Sequence, residues 1–263
     1  MTRDDRAREI AMHSAAIPGV LAVAQGGSRT AGNADEQSDT DLYVYSREEV
    51  PLAPRREIAH IRSRRWEVDN RWWETGDEWL ERGHIDVTFR RAADIEAHLT
   101  ALLEHCEARN GSSTALWHNL RTSEILFDRE GWLADLKRRA EQSYPEGLAR
   151  AIIARNFPLL HGAFGAYPNQ IALAVRRRDP VAVNHRLAEF LASYFDVLLA
   201  LNRTSHPGEK RLLTLAGRLP LVPSDLAPQA EGMLAFTPQT LDEVPERVDR
   251  PVRALAQLLA EEG

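Results

Sequence analysis

Two aspartates separated by one residue, Asp39 and Asp41, follow a Gly26-Gly27-Ser28 turn after a gap of ten residues. Side chains alternate faces along a strand, so the two carboxylates point to the same side. Like charges that close repel and raise each other's pKa, and a cation between them removes the cost. A hard divalent metal meets that need. The Gly-Gly-Ser turn offers unobstructed backbone N–H groups, which suits a phosphate in close approach. A third acid, Asp86, stands in HIDVTFR (84–90), where Ile85, Val87 and Phe89 share one face of a strand while Asp86 and Thr88 share the other. Across a common sheet it can join the first two.

These residues need strands to hold them. Residues 20–46 predict a strand, a small-residue turn, a polar loop and a second strand that carries the acid pair. A charged helix over 4–16 leads in, and Pro18 and Gly19 break it. Pro51 and Pro54 mark a loop before a short basic helix, PRREIAHIRSRR, and a strand over 65–69. WEVDNRWWETGDEWLERG then carries four of the six tryptophans, Trp66, Trp72, Trp73 and Trp79. It is either a loop pinned to the core by aromatic anchors or a wall on which a ring stacks. From Ala92 the spacing of Ile95, Leu99, Leu102 and Leu103 is helical, with Gly111 as a stop. Glu124 to Asp128 adds an edge strand.

Beyond Gly131 the pattern is helical throughout: 131–142, 146–161 with a kink at Pro158, 166–178, 181–201, 209–217 and 251–261. The segment 181–201 has an apolar stripe from Leu187 to Leu201, which makes it the central helix of a bundle. Glu189 and Asp196 line one polar edge of it and are expected at the surface. Lys210 falls in the expected first turn of the next helix, where a cation opposes the helix dipole unless an anion is held there. The expected fold is α+β, an N-terminal α/β domain with a mixed sheet over residues 1–128 and an all-helical domain over 129–263, with YPEG at Tyr144 to Gly147 as a second candidate boundary.

At 263 residues with 43% apolar content the chain supports an ordinary core. A net charge of −6 gives no global attraction to nucleic acid or to anionic membrane. The one cysteine, Cys106, rules out an intrachain disulfide and fits a buried apolar role in a reducing compartment. No apolar run reaches the roughly 18 residues of a membrane span, and the N-terminus lacks a signal-peptide core, so a cytoplasmic protein is expected. The nine histidines are scattered without an adjacent His-Asp pair, which speaks against a phosphohydrolase and for structural or surface roles.

Gly27-Ser28, the ten-residue gap, Asp39-Thr40-Asp41 followed by apolar Leu42, and Asp86 on a later strand together resemble the signature of the polymerase-beta-type nucleotidyltransferase superfamily. The α/β-then-helical arrangement is similar to the aminoglycoside and lincosamide nucleotidyltransferases. ETGDEW, LWHNLR, ILFDR, VNHR, ASYFDVLLALNR and HPGEKRL resemble a poorly characterised bacterial group of nucleotidyltransferase-like proteins. Thr40 departs from the usual apolar residue between the acids but lies on the opposite face.

The resemblance implies an Mg²⁺-dependent transferase that moves a nucleoside monophosphate, AMP from ATP or the equivalent from another NTP, onto a hydroxyl of a small molecule or protein. Two Mg²⁺ ions would be held by Asp39, Asp41 and Asp86. Gly27 and Ser28 would bind the β- and γ-phosphates, with Arg29 and Lys210 as charge partners. Glu74, Asp77 and Asp86 are the candidates for the base that deprotonates the acceptor. The rival reading is a catalytically silent nucleotide-binding module or antitoxin-like partner. A homodimer is compatible with the sequence, and the acceptor is not legible in it.

Overall fold

Apolar residues repeat at period two in the N-terminal half, and the chain there builds a sheet. The structure, a computed structural model, describes residues 3–27, 30, 39–62, 65–69, 77–80 and 84–262. The chain divides into two compact units, Met1–Thr100 with Leu116–Ser143 and Ala101–Ala115 with Tyr144–Gly263. In chain order the first half contributes α1 (Arg3–Ala15), β1 (Val20–Gly26), β2 (Thr40–Ser46), α2 (Leu52–Arg62), β3 (Trp66–Val68), β4 (Asp77–Leu80), β5 (His84–Arg91), α3 (Ala92–Leu103), α4 (Ala115–Thr122), β6 (Glu124–Asp128) and α5 (Trp132–Ala140).

Among the described residues the strands form one mixed sheet in the order β3-β4-β5-β2-β1-β6. β2 runs parallel to β5 and antiparallel to β1, while β6 closes the edge beyond β1. One face is apolar. Ala7, Ile10 and Ala11 of α1 and Ile58 and Ala59 of α2 pack there with Val23, Leu42, Val44, Ile85 and Val87. The period-two rule then sends Asp41, Tyr43, Tyr45, Asp86, Thr88 and Arg90 to the opposite face. That face is partly closed by α5, whose Trp132 ring lies 5.4 Å from Tyr45 and donates its indole N–H to Glu96 at 2.5 Å.

β4 lies inside the Trp-rich segment expected to be a loop. Trp66 is 36% exposed and does not serve as a core anchor, and Trp72 and Trp73 lie outside the described residues. Besides its ladders with β3 and β5, charge fastens β4. Asp77 is fully buried and accepts from the Arg55 guanidinium of α2, with Nη2 at 2.5 Å and Nε at 3.2 Å from both carboxylate oxygens. It also accepts the Asp69 N–H at 3.1 Å, and Arg55 stacks 4.4 Å from the centre of the Phe89 ring. Removing one partner of such a buried pair leaves an uncompensated charge, which typically costs about 3–5 kcal/mol.

The units keep residues 116–143 with the sheet and begin the long helical stretch at Tyr144, within the YPEG segment. Asp128 caps α5 by accepting the Leu133 and Ala134 N–H groups, and Lys137 of α5 donates to the carbonyls of Leu120, Arg121 and Ser123 at the end of α4. Trp117, fully buried, donates to the Ala140 carbonyl at 2.6 Å. These bonds tie residues 116–140 to the sheet unit.

The second unit contains α6 (Glu146–Leu160, with Pro158 inside), α7 (Tyr167–Arg176), α8 (Pro180–Leu201), α9 (Leu212–Ala216), α10 (Leu226–Leu234) and α11 (Val244–Glu262). Its core centres on α8, where every residue from Ser193 to Leu201 is buried. α10 was not expected, and α11 begins seven residues before the expected start and carries Pro251 within it.

The polar edge expected on α8 divides. Glu189 is exposed and pairs with Arg186, but Asp196 is buried. Its carboxylate accepts the Ser113 hydroxyl at 2.6 Å and the Ser113 N–H at 3.0 Å, and Asn156 donates to it at 3.3 Å. Asn156 in turn accepts the Gly111 N–H and donates to the Arg109 carbonyl, so residues 109–113 are sewn onto α6 and α8. Burial pushes the Asp196 carboxyl up to about 6, with the Ser113 bonds opposing the shift.

A carboxyl that binds its proton more tightly in the folded than in the unfolded state destabilises the fold as pH rises between the two pKa values. For Asp196 that window runs from about 4 to about 6, and the full effect is about 3 kcal/mol. Asp196→Asn keeps an acceptor for the Ser113 N–H and removes the charge. Urea denaturation between pH 4 and 7 is expected to show the variant gaining stability relative to wild type as pH rises; a constant difference would contradict this account.

Candidate metal centre

Strand pairing, more than any single residue, assembles the site. In the parallel ladder Asp41 stands beside Asp86, and on the other side Asp41 stands opposite Gly26 of β1. Cross-strand partners share a face, so the glycine turn and two acids form a row over three adjacent strands. Asp39 immediately precedes β2 and belongs to the same period-two set.

His84 completes the arrangement. It opens β5 two residues before Asp86, and its ring lies between two carboxylates, with Nδ1 3.6 Å from Asp39 and Nε2 3.2 Å from Asp86. Asp39, His84 and Asp86 each offer a ligand atom, and these atoms lie within 4.8 Å of one another. The side chains are 39%, 31% and 17% exposed, so the centre is sheltered yet reachable from solvent. The donor set of two carboxylates and one imidazole fits a divalent cation. His84, expected like the other histidines in a structural or surface role, is one of three residues whose ligand atoms could hold an ion; the signal in the sequence is His-x-Asp on a strand, which puts both side chains on one face.

Asp41 is seated differently. Gly27 has φ +73°, in the left-handed region, and a β-carbon placed on it would stand 1.7 Å from an Asp41 carboxylate oxygen. Glycine is therefore required there both for the backbone and for the space. Gly26 faces a similar limit, since a β-carbon would stand 2.4 Å from the Tyr43 ring. Tyr43 accepts a bond from the Asn119 amide at 2.9 Å, and the Arg90 guanidinium lies 4.2 Å from its ring centre. Burial raises the Tyr43 hydroxyl above its ordinary pKa, Arg90 opposes that shift, and the negative charges of Asp41 and Asp86 add to it. Burial likewise pushes the neighbouring Tyr45 up to about 12.

Ser28, Arg29 and Glu74 lie outside the described residues. Asp77 is committed to Arg55 inside the protein and has no access to an acceptor, which removes it from the candidate bases. Lys210 is exposed and precedes α9, whose N-cap is Arg211 in a left-handed conformation with φ 58°. It is outside the first turn, so the dipole argument for an anion there does not apply.

A family described as a domain of unknown function (DUF4037) matches residues 112–212, within which Ser113, Asn156 and Asp196 lie. No curated protein matches. Among solved structures, the chain is similar to the crystal structure of a nucleotidyltransferase-like protein from Exiguobacterium sibiricum 255-15, with 15% identity, a TM-score of 0.46, and coverage of 99% of this chain and 76% of that one. The functional reading rests on the residues of the site.

Gly27→Ala and Gly19→Ala separate the two demands on Gly27. Gly19 also has positive φ, at +85°, but nothing lies within 4 Å of an added β-carbon. Both variants carry the backbone penalty of about 1–2 kcal/mol. Only Gly27→Ala must also displace Asp41. Chemical denaturation is expected to show the larger loss for Gly27→Ala; equal losses would mean that the Asp41 seat is loose.

Proposed function

We propose that this chain is a metal-dependent nucleotidyltransferase, carrying a nucleoside monophosphate, AMP from ATP, to a hydroxyl of a small molecule or protein. The observation that carries the reading is the row of Gly26–Gly27, Asp41 and Asp86 over three adjacent strands, flanked by Asp39 and His84. A glycine turn set against a group of acids is suited to one reactant that brings both phosphates and cations.

In nucleotidyl transfer the acceptor hydroxyl oxygen bonds to the α-phosphorus, the bond from that phosphorus to the bridging oxygen breaks, and pyrophosphate leaves. The proton of the hydroxyl passes to a base. Positioning and neutralisation of charge supply most of the rate in such displacements. A divalent cation, when bound, supplies charge neutralisation at the phosphates and a more acidic acceptor hydroxyl. The chain's own part is to hold it with Asp39, His84 and Asp86, and to keep Gly27 clear of side-chain bulk so that backbone N–H groups can meet the phosphates. Asp41, fixed against Gly27, holds the turn and the acid pair in one arrangement. Asp86 is the remaining described candidate for the base, given that Asp77 is sequestered.

The test is transfer of label. The protein is incubated with Mg²⁺ or Mn²⁺ and α-labelled ATP, GTP, CTP or UTP against a hydroxyl-rich metabolite pool, and acceptor labelling and pyrophosphate are followed. ATP-dependent labelling is expected, and Asp86→Asn should reduce it about 100-fold or more. Absence of transfer with every nucleotide while nucleotide binding persists would favour the silent binding module.

A further inference from the structure

β5 carries a cation on the same face as its acid. Arg90 stands four residues after Asp86, an even spacing that puts both side chains on one side of the strand. The parallel ladder sets Asp41 beside Asp86, then Tyr43 beside Thr88, then Tyr45 beside Arg90, so three rows follow one another along this face. The Arg90 guanidinium reaches back over the middle row and lies 4.2 Å from the centre of the Tyr43 ring. That ring is buried, and its hydroxyl is held by the Asn119 amide at 2.9 Å. Arg90 is half-buried, and among the described residues it forms no ion pair with a carboxylate. The Tyr45 hydroxyl lies close to it, yet neither that hydroxyl nor Arg90 Nη1 completes a hydrogen bond. A guanidinium withdrawn from water without an anion is costly, and the face of one tyrosine ring returns only part of that cost. A reactant that brings an anion to Arg90 supplies the missing partner.

The order of the rows says which reactant that is. Gly27 lies on one side of the acid row, and Tyr43 and Arg90 lie on the other. In phosphoryl displacement the attacking and leaving oxygens are roughly in line across the phosphorus. With the leaving phosphates at the glycine turn, the acceptor approaches from the side of Arg90.

We propose that Arg90 binds an anionic group of the acceptor, a carboxylate or a phosphate, so that the substrates are acidic hydroxyl compounds. The proposal rests on the transferase reading and adds the charge of its acceptor. A planar guanidinium takes two oxygens of either group at once. Its charge also offsets the repulsion that such a group meets from Asp41 and Asp86. Arg90 stays protonated and takes no part in the bond changes, which remain those at the acceptor hydroxyl and the α-phosphorus.

The test divides the acceptor pool by charge. A hydroxyl-rich metabolite pool is passed over an anion exchanger, and the retained and unretained fractions are offered separately to the full chain with α-labelled ATP and Mg²⁺. Labelling is expected in the retained fraction; labelling of the unretained fraction to the same extent, or of that fraction alone, would overturn the proposal and leave the transferase reading standing. Phosphatase treatment of the retained fraction separates the two sources of charge, since loss of the acceptor identifies a phosphate and its persistence a carboxylate. Arg90→Gln is expected to raise the amount of retained fraction needed for half-maximal labelling about tenfold or more. Its affinity for a non-hydrolysable ATP analogue should stay as in wild type; a loss there instead would place Arg90 at the nucleotide and contradict the assignment. Circular dichroism checks the fold, and Arg90→Lys, which keeps the charge but not the two-pronged contact, serves as the second variant and should show a smaller rise. No rise in either folded variant would also overturn the proposal. No labelling of either fraction would reject the transferase reading, and the acceptor with it.

Discussion

Carboxylates held side by side repel, and the parallel pairing of β2 with β5 fixes just such a contact by setting Asp41 beside Asp86. A shift of one residue in that register would send one of the acids to the apolar face with Leu42, Val44, Ile85 and Val87. The packing of α1 and α2 on that face therefore protects the arrangement of the acids on the other. Core and site are set by one ladder. The glycine turn enters the same scheme through β1, since Gly26 is the partner of Asp41 and Gly27 is closed to any side chain by the Asp41 carboxylate.

Buried charge serves two further purposes in the chain. Asp77 and Arg55 satisfy one another and lock the short strand β4 to α2, a structural use of groups that would otherwise be costly to bury. Asp196 is held by Ser113 and Asn156, and burial outweighs these bonds, so its proton is held more tightly. The first pair extends the sheet beside the candidate metal centre. The second group fastens a loop within the helical unit and gives that unit a dependence on acidity. Neither belongs to the centre, although each contains an acid of the type that the centre uses.

Much of this could be read from residue order. A continuous apolar run in residues 20–26 and alternation in 40–46 and 84–91 mark the strands, and the helical stretches from Gly131 onward follow their apolar spacing. The joint placement of Gly27, Asp41 and Asp86 follows from period two once the strands share a sheet. The failures have specific causes. β4 is four residues long and lacks clean alternation, so its Trp and acid content suggested a loop; the buried use of Asp77 depends on Arg55, 22 residues earlier. Asp196 was expected at the surface because one helix edge carried Glu189 as well, yet the flanking YFDVLLAL leaves no polar side on that part of α8. The left-handed Arg211 delays α9 and takes Lys210 out of its first turn. His84 is legible only through alternation, since an adjacent His-Asp pair on a strand points to opposite faces whereas His-x-Asp brings both side chains to one.

The central claim is that the acids carried by the two central strands, β2 and β5, form a cation site for a nucleotide. Thermal unfolding with a divalent cation and a non-hydrolysable ATP analogue tests it without requiring the acceptor. A ligand at 100 times its Kd that binds only the folded state adds about 2.7 kcal/mol, enough to raise Tm by a few degrees. The account predicts this rise for the wild-type chain only when cation and nucleotide are both present, and its loss in the folded double variant Asp39→Asn with Asp86→Asn. An equal rise in that variant, or none in the wild type, would contradict the account.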